Sequence, residues 1–130
     1  MPLDSGESLL LALLIAHSSS RLVTGDKRAI LALESLVATL SILESAAGRI
    51  GCLEQLMLLL VHKLGAQSIR KGICAEPLAD KALSICFSCS SPDGFSEENV
   101  AAGLKSYINS LQSQAPQMLC SDPDLSAWIS

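Results

Sequence analysis

The chain has 130 residues, enough for one domain, and its hydrophobic content of 49% with only 3% aromatics favours helix over sheet, because strands prefer β-branched and aromatic side chains. Net charge is −4, the wrong sign for general nucleic-acid binding, which needs a basic field. Charged residues make up 17%, below the roughly 25% of an average soluble domain, and mean hydropathy is +0.42. The composition therefore describes either a surface covered by a partner or a chain of marginal solubility.

The first expected helix spans 5–19, with Asp4 as N-cap and Glu7 completing a capping-box-like pair. Its centre, LLLALLIA at 9–16, is apolar nearly all round, so it needs cover on every side. The run has the length of a signal-peptide core, but acidic Asp4 and Glu7 precede it where a signal wants Lys or Arg. Neither it nor LMLLLV at 56–61 approaches the ~20 residues of a membrane span. RLVTGD at 21–26 reads as a connector broken at Gly25.

The second expected helix is 27–45, capped by Asp26, with Ile30, Leu33, Val37 and Leu40 as one ladder and Leu36 and Leu43 widening it. Gly48 punctuates. The third is 49–64, with Ile50, Leu53, Leu56, Met57, Leu60 and Leu64 as its stripe and Leu58, Leu59 and Val61 covering much of the rest. Gly65 ends it after His62 and Lys63, cations suited to a helix C-terminus. Residues 65–76 read as a loop. Pro77 opens a fourth helix, 77–89, and SSPDGF at 90–95 is a turn. Ser96 caps the fifth, whose face is Val100, Leu104, Tyr107, Ile108 and Leu111. Residues 113–130, with Pro116, Pro123 and the single Trp128, read as a tail that can still dock.

Hydrophobicity falls along the series. The last helix has one apolar stripe and can close a core facing water, whereas the first has no polar face to show. The expected fold is all-α: about five helices stacked as helical hairpins, a short solenoid or irregular bundle over 1–112, with a C-terminal tail at 113–130.

The residues offer no catalytic constellation. There is no GxSxG, HExxH or Gly-rich phosphate loop. His17 beside Ser18, Ser19 and Ser20 lacks an orienting acid that the sequence can identify. Cys86 and Cys89 form a CxxC, but at a helix end, where the dipole disfavours thiolate. Cys74 and His62 match no compact zinc spacing with them. The five cysteines, an odd number without scaffold-like spacing, are expected to be reduced, as in cytoplasm or nucleus. No cofactor or metal and no enzymatic activity are expected.

ALESLVATLSILESAAGRIGCLEQLMLLLVHKL and ADKALSICFSCSSPDGFSEENVAAGLKSYINSLQS align as helix pairs: Leu33, Leu36 and Val37 with Leu83, Cys86 and Phe87, and Leu53, Leu56, Met57 and Leu60 with Leu104, Tyr107, Ile108 and Leu111. Each has a small-and-leucine helix, a polar turn and a Leu-rich stripe. Over 27–112 the pattern resembles armadillo or HEAT-type repeats. The chain departs from that family in holding about two units, where solenoids usually need three or more. The family's short first helix is missing or lost in the loop at 65–76. The resemblance implies a binding scaffold without enzymatic activity.

Terminal solenoid repeats carry a polar outer face, which the first helix lacks. Residues 5–20 are therefore expected to pack on another protein or a longer copy of the same solenoid, or to mark where a longer solenoid has been cut. The expected contacts are the surplus apolar residues Leu10, Leu14, Leu58, Leu59 and Val61, in a groove that takes an apolar helix or extended peptide. Lys63, Arg70 and Lys71, with His62, form a basic rim suited to an acidic peptide, against the plainer reading of a solvated loop. The alternative is a carrier of lipid or another small apolar ligand in a helical cavity.

Overall fold

A computed structural model describes residues 5–129, so the expected cap Asp4 lies outside the described residues. Most of them are helical, as the composition requires, but short strands interrupt the helices. The chain contacts divide it into two units. The first holds the residues up to Leu53 together with Ser110–Asp122, and the second holds Glu54–Asn109 with the residues from Pro123 on.

In the first unit, α1 is Ser5–Ala16, shorter than the expected 5–19 because the serines at 18–20 weaken the helix. The expected connector holds β1, Leu22–Thr24, and β2, Ile50–Cys52, occupies the start of the expected third helix. They pair in parallel, Leu22 with Ile50 and Thr24 with Cys52. A parallel pair needs a crossover, and α2, Lys27–Val37, lies in it. Asp26 caps α2 as expected, its carboxylate accepting from the Ala29 amide at 3.1 Å. The buried face of α2 is Ala29, Ile30, Leu33 and Val37. The expected helix 27–45 breaks after Val37: Leu40 is extended, and a 3-10 turn follows at Ser41–Ala46. The Thr39 hydroxyl donates to the Leu36 carbonyl there, a local bond that competes with helix continuation.

The segment expected to trail from 113 is bound into this unit. Ala115, Met118, Leu119 and Cys120 are buried. The Cys120 amide donates to the Ile50 carbonyl at 2.7 Å, and Leu119 bridges Ile50 in parallel, so β2 is hydrogen-bonded on both edges. The Glu34 carboxylate of α2 accepts from the backbone amides of Gln117 (3.0 Å) and Met118 (2.8 Å). That pinning involves residues 83 and 84 positions apart, beyond the reach of local pattern reading.

In the second unit, α3 is Leu53–Leu64 and stops at Gly65, whose φ of +86° is open to glycine alone at little cost. The expected loop 65–76 is largely a helix, α4, Ala66–Ala75; the Glu97 side chain accepts from its first amide, Ala66, at 2.7 Å. The expected helix 77–89 shrinks to α5, Lys81–Cys86. Asp80 caps it, accepting from the Leu83 amide, so residues 76–80 form an exposed strap instead of a first turn started by Pro77. A 3-10 turn, Pro92–Gly94, follows. Then comes α6, Glu97–Gln114, whose residues from Ser110 on count with the first unit, with the Ser96 hydroxyl accepting from the Asn99 amide as a cap. Of the expected stripe, Val100, Leu104, Ile108 and Leu111 are buried, while Tyr107 is half-buried. An added Cβ at Gly103 would lie 3.3 Å from the Cys86 sulfur, so Gly103 is what lets α5 and α6 approach.

Candidate functional site

The feature of α1 that bears on function is its exposed leucine face. Leu14 points inward, 2% exposed, while Leu9, Leu10 and Leu13 are 62%, 49% and 48% exposed. Three large apolar side chains at i, i+1 and i+4 share one side of a helix. They are held in place by Arg49. Its guanidinium donates to the carbonyls of Leu14 (2.8 Å), His17 (2.9 Å), Ser20 (3.0 Å) and Ser45 (2.8 and 3.0 Å). The last helical turn leaves carbonyls without intrahelical partners, and a cation there also suits the helix dipole. Arg49 thus closes α1 and ties it to the 3-10 turn at Ser41–Ala46, against which α1 packs.

Beneath this face runs a shallow cleft lined by Leu10, Leu11, Leu22, Val23, Ile30 and Leu33 among others, with a volume of about 80 Å³. Small-molecule sites usually offer ~300–1,000 Å³, so the cleft suits the tip of one side chain better than a lipid.

The expected contact residues separate into two sets. Leu10 is exposed as expected. Leu14, Leu58 and Val61, expected to face outward, are core residues at 2%, 0% and 2% exposure; Leu59 is half-buried. In helices apolar on every side, periodicity cannot mark the inner face, and it misassigned these three. Leu9 and Leu13, which the sequence did not single out, complete the exposed face instead. The one sequence signal was the surplus of leucine.

The basic rim is also reassigned. Arg70 lies on α4 and is half-buried, donating to the carbonyls of Phe87 (2.8 Å) and Ser88 (2.9 Å) at the end of α5. Its guanidinium sits 4.7 Å from the centroid of the Phe95 ring. His62 Nδ1 lies 2.8 Å from the Asp124 carboxylate. Lys63 and Lys71 are exposed.

The expectation of five reduced cysteines is corrected. Cys74 and Cys89 form a disulfide, with Cα atoms 5.3 Å apart, while Cys52, Cys86 and Cys120 are buried thiols. Cys86 faces the core, and the unexpected α4 brings Cys74 to Cys89. Among the described residues no group of three or more His, Cys, Asp or Glu is placed to hold a metal, and no helix is long and apolar enough to cross a membrane.

Compared with known protein families, curated proteins and solved structures, the chain matches none.

Proposed function

We propose that the protein is a non-enzymatic interaction module, and that the leucine face of α1 is its docking surface for an apolar helix of another polypeptide. The observation that carries this reading is the exposure of Leu9, Leu10 and Leu13 on a helix fixed by the Arg49 clasp. A fixed apolar face binds at lower entropic cost than a mobile one, and helix-in-groove recognition uses anchors at this spacing. The arrangement of helices as a short solenoid belongs to the same proposal. It is supported by the order of α4, α5 and α6, two short helices and then a long one, with α4 lying where the short first helix of an armadillo-type unit was sought.

The test is a double variant, Leu10→Glu with Leu13→Glu, which touches no core residue. Solution mass, thermal melting and the set of proteins captured by the immobilised chain are compared with wild type, and any partner is then purified and titrated. We expect an unchanged melt with loss of a specific, saturable association. Association with the titrated partner that survives both charges would sink the reading. A wild-type dimer that dissociates in the variant would identify the partner as a second copy.

The carrier reading rests on the apolar cleft under α1. Its small volume favours the interaction module, and absence of copurifying lipid in native mass spectra is the expected result.

A further inference from the structure

The end of α5 is built in an unusual way. The helix has six residues, Lys81–Cys86, too few to be stable alone. It closes with the Cys89 amide donating to the Ser84 carbonyl at 3.0 Å and the Ser88 amide donating to Ile85 at 3.1 Å, the pattern of a Schellman stop. That stop needs a left-handed residue, normally glycine, and here it is Ser88 at φ +54°. The chain supplies two restraints at this spot. Arg70 holds the carbonyls of Phe87 and Ser88, and one helical turn further along α4 Cys74 is bonded to Cys89.

The bonded cysteines are also the accessible ones. Cys74 and Cys89 are each partly exposed, whereas Cys52, Cys86 and Cys120 are 1%, 4% and 6% exposed. A thiolate attacks only a sulfur it can reach, so thiol chemistry on the folded protein is directed to this one bond. The bond closes the segment that contains the strap 76–80, where Leu78 is 93% exposed, and Ile85, 63% exposed. These two flank a groove lined by Pro77, Lys81, Ser84 and Ser88. The Ser84 hydroxyl donates to the Pro77 carbonyl, so the strap is tied to α5 and keeps its form only while α5 does.

We propose that the Cys74–Cys89 disulfide is a reversible latch on the α5 turn. A dithiol reductant attacks one sulfur, forms a mixed disulfide and then closes on itself. It leaves as the oxidised dithiol, and Cys74 and Cys89 take up two protons as free thiols. With the bond open, a strained serine and a half-exposed arginine hold the stop, and α5 and its strap loosen. With the bond closed, the groove between Leu78 and Ile85 is set.

The test uses the full chain. Alkylation and mass measurement after denaturation should count three free thiols without reductant and five after a dithiol. Amide exchange at Phe87, Ser88 and Cys89 should accelerate about tenfold or more on reduction, while exchange in the middle of α6 stays unchanged. Cys74→Ser should show the fast exchange without reductant. Ser88→Gly should shrink the acceleration, because glycine relieves the strain that makes the turn depend on the bond. Five free thiols without reductant, or exchange at 87–89 indifferent to reduction, would overturn the proposal; if Cys74→Ser fails to fold, reduction of the wild-type chain decides it.

Discussion

Arg49 and Arg70 both close the C-terminal end of a short helix through backbone carbonyls, but the turns they serve are made of different material. Arg49 works without a covalent aid: it reaches the carbonyls of Leu14, His17 and Ser20 around the end of α1 and that of Ser45 in the 3-10 turn, and its own turn holds Gly48, left-handed at φ +75°. Arg70 reaches two carbonyls at the end of α5, and there the left-handed residue is Ser88 with a disulfide beside it. In one region glycine eases the turn that delivers a guanidinium fork to the end of α1. In the other a costlier residue is held by a bond that can be broken. The first device gives a permanent platform under the leucine face, and the second gives a turn sensitive to thiols.

The largest effect should come from removing the fork that works unaided. Arg49→Ala deletes two part-buried and three exposed hydrogen bonds. Charge-assisted bonds to carbonyls suggest a loss of about 2–3 kcal/mol, or a fall in Tm on the order of 10 °C. Amide exchange should rise throughout α1 and stay unchanged in α6. Arg49→Lys should recover only part, because one ammonium cannot span the carbonyls that a planar fork reaches. A melt within about 2 °C of wild type would mean that α1 is held by Leu14 and its neighbours instead.

Arg70→Ala should cost less, about 1–2 kcal/mol while the disulfide is intact, because the bond still holds the turn. The comparison sharpens when the same variant is melted after reduction. If guanidinium and bond restrain one turn, the loss from both exceeds the sum of the separate losses. Strict additivity would show that they act on independent elements.

These clasps also show what the sequence could reveal. Periodicity and a local cap located α6 and the start of α2, with their caps Ser96 and Asp26, but periodicity carried α2 on to 45, past the break after Val37. It could not orient α1 or α3, where leucine surrounds the axis and only tertiary packing decides that Leu14, Leu58 and Val61 go inside. It missed β1 and β2, three residues each, too short for alternation to register. It took Arg70 for a surface cation and Cys74 and Cys89 for reduced thiols. Both errors follow from reading 65–76 as a loop: once that segment is a helix, Arg70 and Cys74 lie one turn apart on it and meet the end of α5 together.

The smallest predicted effects are a matched pair at Ser88 and Gly48, the left-handed residues of the two turns compared. Ser88→Gly relieves the penalty of a side chain at φ +54° and should raise stability by about 0.5–1 kcal/mol, reduced by the greater freedom glycine gives the unfolded chain. Gly48→Ala imposes that penalty at φ +75° and should lower stability by about 1 kcal/mol. An added Cβ at Gly48 meets nothing within 4 Å, so sterics with neighbours cannot account for the loss and the backbone alone is measured. Opposite signs of similar size would show that both turns are governed by the same conformational cost, which one region avoids by its choice of residue and the other offsets with a disulfide. If Ser88→Gly is destabilising, the serine side chain contributes more to the turn than its backbone costs, and the strain assigned to α5 would have to be withdrawn.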